Sequence, residues 1–184
     1  DSISNIYVSH LTSHGWSQPV PAPFTGSFSD SDPFVSPDGN WLYFVSDRPT
    51  DPDDHDPDSN IWRYSLTDPM VLEPLPLNSA ATEYSPVMTA SGNLYFASDR
   101  TGGPGQGDLY VARASGDGFE TPQPLGPAVN TETGEWNLWV SPNEEEILLE
   151  ASSRATNVSV SGDVYYSWLS EAGWVPAVPV PELN

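Results

Sequence analysis

The chain has 184 residues and a formal charge of −21, from 26 acids against five arginines and no lysine. Such a field repels nucleic acid and anionic membrane surfaces and favours cations. The absence of cysteine excludes a disulfide framework and thiol chemistry, and no apolar run is long enough to span a bilayer as a helix.

In chain order, the first element is Asn5-Ile6-Tyr7, with Gly15-Trp16 beginning eight residues after the tyrosine. His10 and His14 stand in the turn between these two short strands and read as solvated surface groups. Next comes Ser36-Pro37-Asp38-Gly39, a turn with a mechanism. Pro37 presets φ, Asp38 can bond its own backbone and Gly39 tolerates φ > 0. Leu42 to Ser46 follows, then Asp47-Arg48, then an acidic loop that holds His55 and ends at Asn60-Ile61-Trp62. The second unit repeats this order with Ala90-Ser91-Gly92, Leu94 to Ser98, Asp99-Arg100, Asp108-Leu109-Tyr110 and Gly118-Phe119. The third has Asn143-Glu144 in the turn, then Leu148-Leu149-Glu150, Arg154, Asp163-Val164-Tyr165 and Gly173-Trp174. The anchors at 5, 60, 108 and 163 are spaced by 55, 48 and 55 residues. From Leu42 to Arg48, Leu94 to Arg100 and Leu148 to Arg154 the step is constant, which puts Glu150 at the place of Phe44 and Phe96.

A repeat of this length, built from short aromatic-rich runs and Gly/Pro/Asp/Asn turns, predicts an all-β chain: a β-propeller of four-stranded antiparallel blades. No stretch sustains a 3.6-residue apolar period, so no long helix is expected. Residues 1–24 supply a half blade and residues 30–79, 83–131 and 135–184 three fuller ones. That is about three and a half blades in one domain, and closed propellers have about four to eight. The expectation is part of a larger ring. The alternative is a four-bladed ring with one degenerate blade.

The run SPDG…LYF.SDR, followed by GxGDLYV and G[FW]xxPxxLG, resembles the TolB-type, WD40-like propellers of bacterial envelopes. The resemblance covers nearly the whole chain and implies a periplasmic or secreted location and protein partners. A first residue that is Asp rather than Met fits a chain whose leader has been removed or was never included.

Four groups are candidates for chemistry. Asp51, Asp53, Asp56 and Asp58 alternate through the loop after Arg48, the spacing with which carboxylates converge on Ca²⁺, although two prolines stiffen the loop and no glycine turns it. The equivalent connection in the next unit, Thr101 to Asp108, is glycine-rich and uncharged up to its last residue, so any such site is private to one blade. Asp30, Glu83 and Glu135 fall at one repeat position at the start of the innermost strand, where they would ring the channel mouth and hold a metal ion or cationic ligand. The competing reading is local, with each acid closing its own turn. Glu150, if it replaces a buried aromatic, needs a partner or a raised pKa. Asp47-Arg48 and Asp99-Arg100 recur, which argues for loop-locking hydrogen bonds rather than a ligand.

No hydrolase elbow, P-loop, zincin or dinucleotide motif is present. The favoured function is a non-catalytic binding or scaffold propeller that takes a protein, peptide or glycan at its loops or channel mouth. The alternatives are a fragment of a propeller glycosidase or lyase, or the gating propeller of a serine hydrolase.

Overall fold

Each blade is built of antiparallel strands whose first two are joined by a Ser/Thr-x-x-x turn, and in the first blade that turn is closed by its own groups. In the first blade Gly39 adopts φ 72°, its N–H donates to the Ser36 carbonyl at 2.8 Å, and Asp38 accepts the Asn40 N–H at 3.1 Å. The computed structural model describes residues 3–51, 53, 58–159 and 162–184. The innermost strands are Asp30–Val35, Glu83–Met88 and Glu135–Val140. The second strands are Trp41–Ser46, Leu94–Ser98 and Glu146–Ala151. The third are Asn60–Ser65, Asp108–Ala112 and Asp163–Ser170, and the outermost are Leu72–Pro74, Gln123–Pro124 and Val178–Pro179. Each set pairs in chain order and antiparallel. The half blade is Tyr7–Val8 paired with Val20–Pro21. The Gly-Trp and Gly-Phe motifs form hairpin tips beyond the main ladders, as in Leu11–Thr12 with Gly15–Trp16. Among the described residues there is no helix, and so none long and apolar enough to cross a membrane.

The second and third strands of the first two blades are buried on both faces because each of those sheets is covered on both sides. Side chains alternate along a strand, so one set meets the preceding blade and the other the following one. Ile6 and Ala22 of the half blade pack on Leu42, Phe44, Trp62 and Tyr64. Tyr43 and Ile61 on the opposite face meet Leu94, Phe96 and Tyr110 of the second blade. Tyr95, Ala97 and Leu109 then meet Ile147, Leu149 and Tyr165 of the third. A recurring main-chain bond joins neighbours: the N–H groups of Asp30, Glu83 and Glu135 donate to the carbonyls of Ser4, Ser59 and Gly107, each just ahead of the previous blade's third strand.

The third blade corrects the expected place of Glu150. Ser46 lies opposite Asp30 and Ser98 opposite Glu83, but Ala151 lies opposite Glu135. Leu149, only 1% exposed, therefore takes the buried place of Phe44 and Phe96. Glu150 sits one residue further, half-buried, opposite Trp136 and Val164. The extra residue is absorbed after the strand, where Ser153 adopts φ 60°, so that Arg154 still reaches Glu135 at 2.8 Å.

Candidate binding site at the inner strands

Asp30, Glu83 and Glu135 occupy equivalent places, but the structure does not bring them to a shared mouth. Each side chain is fully enclosed and bonded to an arginine of its own blade: Arg48 at 2.6 Å, Arg100 at 2.8 Å and Arg154 at 2.8 Å. The guanidinium groups lie over aromatic rings, Arg48 over Phe24, Phe44 and Trp62, Arg100 over Phe96, and Arg154 over Tyr165. They also donate to the carbonyls of Phe24, Leu77 and Val129 in the connection from the preceding blade. A buried carboxylate takes the nearest cation, and the repeat that equates the acids supplies each with its own. Ser79 and Thr131 hydroxyls complete Glu83 and Glu135, each at 2.6 Å. Gly26 stands at that position in the first blade, and the second oxygen of Asp30 is left buried without a partner. Burial pushes the Glu83 carboxyl up, against the opposing pull of the Ser79 and Arg100 hydrogen bonds. Asn78, Asn130 and Asn184 accept the backbone N–H of Ile61, Leu109 and Val164 on the third strand of their own blade, and Asn78 and Asn130 thereby anchor the connections that lead into the innermost strands at Glu83 and Glu135.

The polar groups that do converge lie two residues further along each innermost strand. Asp32, Ser85 and Asn137 are non-glycine residues at φ 49°, 48° and 44°, each at a break in register between the first and second strands. Their side chains join from blade to blade. The Ser85 N–H donates to Asp32 Oδ2 at 3.1 Å and the Ser85 hydroxyl to Asn137 Oδ1 at 3.2 Å, while Asn137 Nδ2 donates to Glu150 Oε2 at 2.8 Å. Strained backbone of this kind persists only where the surroundings hold it, and it concentrates at ligand sites. A signal was available in the sequence: Asp32-Pro33 and Ser85-Pro86 place proline inside a strand run, where proline is confined to an edge strand or a bulge, and these strands are both.

Two cavities border this line. One of 450 Å³ is lined by Pro33, Phe34, Pro86, Leu138, Trp139 and Glu150 and is largely apolar. The other, 400 Å³, has Asp32, Tyr84, Asp99, Gln106, Trp136 and Asn137 in its wall. None of the three acids expected at the mouth lines either cavity. Tyr84 donates its hydroxyl to Asp99 at 3.0 Å, and burial, followed by that carboxylate, raises the phenol pKa. Trp136 is held in place from both sides: a Cβ at Gly134 would lie 1.9 Å from its ring and one at Gly107 2.6 Å from it. The arrangement can grip a flat or cationic group between an indole and two carboxylates.

Of the acidic loop, Asp51 accepts the Asp53 N–H at 2.8 Å and Asp58 accepts Asn60 Nδ2 at 3.3 Å. Asp56 and His55 lie outside the described residues. Among the described residues no group of three or more His, Cys, Asp or Glu side chains is placed to hold a metal ion. His10 and His14 are exposed at the surface.

No family model matches the chain and no curated protein matches it. Solved structures do. A TolB-annotated protein from Agrobacterium tumefaciens superposes with a TM-score of 0.60 at 16% identity, over 94% of this chain and 59% of that one. A puromycin-hydrolyzing peptidase from Mycobacterium tuberculosis gives 0.59 at 15% identity, over 95% of this chain and 29% of that one. The tricorn protease gives 0.55 at 10% identity, over 91% and 20%. The fold is that of a TolB-like propeller, and the chain spans less than two thirds of each of these structures.

Proposed function

We propose that this chain is a non-catalytic binding propeller of the bacterial envelope or secreted fraction, and an arc of a larger ring. It takes a protein, peptide or glycan partner at the Asp32–Ser85–Asn137 line. The observation that supports it is three strained polar residues, hydrogen-bonded from blade to blade, beside a cavity walled by Trp136, Tyr84, Asp32 and Asp99. The test is a screen of displayed peptides and of a glycan array against the intact chain. Trp136→Ala and Asp32→Asn should each weaken the selected binder by tenfold or more, and Asp68→Asn, away from the cavity, should not. Equal loss in Asp32→Asn and Asp68→Asn, with Trp136→Ala unchanged, would reduce the interaction to the general charge of −21.

A second reading is supported by the likeness to the puromycin-hydrolyzing peptidase and the tricorn protease, of which the chain covers 29% and 20%. In that case the propeller gates a hydrolase domain, and the whole gene product turns over peptidyl nitroanilides. The acidic loop carries a separate proposal: Asp51, Asp53, Asp56 and Asp58 bind Ca²⁺ weakly. Millimolar calcium then raises Tm through binding to the native state alone, and Asp56→Ala abolishes the rise.

A further inference from the structure

Four of the five arginines are paired inside the blades: Arg48 with Asp30, Arg63 with Glu73, Arg100 with Glu83 and Arg154 with Glu135. The fifth, Arg113, follows the third strand of blade two, where its charge acts on Tyr95. That is the opposite end of the strand from Asp108, which pairs with Ser98, the neighbour of Asp99. Among the described residues, then, no arginine of the chain pairs with Asp32 or Asp99 in the 400 Å³ cavity.

The cavity draws on three blades: Asp32 of the first, Tyr84 and Asp99 of the second, Trp136 of the third. Asp99 and Trp136 come together beside Gly107, where a Cβ would lie 2.6 Å from the indole and 3.5 Å from Asp99 Oδ1. The other oxygen of Asp99 accepts the Tyr84 hydroxyl at 3.0 Å. Asp32 is held by the Ser85 N–H and hydroxyl, both on Oδ2, at 3.1 and 3.3 Å. An aromatic ring beside two carboxylates suits an organic cation, through cation–π attraction and charge-assisted hydrogen bonds. Size argues against a bare ion, because 400 Å³ falls among sites for molecules, about 300–1,000 Å³. A guanidinium fits better than an ammonium: it is planar, stacks on an indole and carries a fork of N–H donors that can serve both acids.

Asp32 and Asn137 also line the largely apolar cavity of 450 Å³, together with Phe34, Leu138 and Trp139. A ligand that crosses this shared wall places a cation on one side of it and an apolar group on the other. Neighbouring side chains of an extended peptide do so.

On the reading of this chain as a binding propeller, we infer that its partner is a peptide segment carrying an arginine close in sequence to a large apolar residue. The guanidinium sits among Trp136, Asp99 and Asp32, and the apolar side chain among Phe34, Leu138 and Trp139.

The test measures fluorescence anisotropy of dye-labelled peptides in which one arginine and one leucine are separated by one to three glycines. A second series replaces arginine by citrulline, its neutral isostere, and a third replaces leucine by alanine. The arginine peptide of the best spacing should bind about tenfold or more tighter than its citrulline and alanine counterparts. Asp99→Asn keeps an acceptor for Tyr84 and removes the charge. It should abolish the preference for arginine while citrulline binding, unchanged, reports that the variant is folded. Asp68→Asn should keep the preference. Equal binding of arginine and citrulline peptides, a preference that survives Asp99→Asn, or one lost equally in Asp68→Asn would each overturn the assignment. If no peptide of the series binds, while a binder from the peptide screen or glycan array still requires Trp136, the arginine peptide is wrong and the binding site stands. If no binder requires Trp136, both fall.

Discussion

At the residue scale, stability rests on buried charges that are paired inside one blade. Arg100 lies between Glu83, the Ser98 hydroxyl and the Leu77 carbonyl. Arg100→Met should therefore cost about 3–5 kcal/mol in urea unfolding, because Glu83 is left buried and unpaired. The double replacement Glu83→Leu, Arg100→Met should recover more than half of that. Glu144 behaves differently. It takes the left-handed turn position of Gly39, with φ 61°, and a side chain there is strained. The compensation lies across the blade boundary, where Thr89, Ser91, Asn93 and Tyr95 all donate to its carboxylate. Burial alone would raise its pKa, but those donors together outweigh burial and hold it below the usual 4.5. A lowered folded-state pKa stabilises above the unfolded value and is lost as pH falls through the folded one. The Tm difference between the wild type and Glu144→Gln should thus be constant above about pH 5.5 and close below about pH 4.5. A difference that does not change with pH would remove the carboxylate from the interblade bond.

At the scale of the element, the second strand of blade three carries the clearest test of register. Side chains alternate, so a shift of one residue exchanges buried and exposed faces. With Leu149 in the aromatic place, Leu149→Ala should cost about 2–5 kcal/mol. Glu150→Ala should cost about 1 kcal/mol or less, since it loses one hydrogen bond, from Asn137. The reverse order of costs would mean that Glu150, not Leu149, faces blade two. The innermost strands obey a second constraint. Their bulges at Asp32, Ser85 and Asn137 turn polar side chains toward one another at the cost of three left-handed residues.

For the whole molecule, two sheet faces are without a neighbouring blade among the described residues. Blade three presents Trp139 at 45% exposure and Trp168 at 40%, and the half blade presents Tyr7 at 57% and Trp16 at 72%. Exposed aromatic faces drive association, and a charge of −21 opposes it. Salt screens the charge and leaves the apolar attraction intact. Sedimentation velocity on the 184-residue chain should therefore show association that grows with NaCl, and Trp168→Glu should suppress it. A chain that stays monomeric at 1 M NaCl and high concentration would show that these faces do not attract one another.

The propeller fold was legible in the sequence because its signals are local. Turn chemistry such as Ser36 to Gly39 and the doubly apolar strands act within a few residues, and their recurrence counts the blades. Recurrence also placed Asp30, Glu83 and Glu135 correctly as equivalents. It did not reveal what they touch, since an arginine some eighteen residues away comes within 2.8 Å only when two strands pair. Counting residues failed at Glu150, because the extra residue at Ser153 is absorbed by a single left-handed turn that leaves no mark in composition. Proline beside Asp32 and Ser85 marks two irregular positions in the sequence, but that they and Asn137 form one line was decided by the tertiary structure. Those residues are more than fifty apart in sequence, and only the stacking of blades on blades puts their side chains within hydrogen-bond reach.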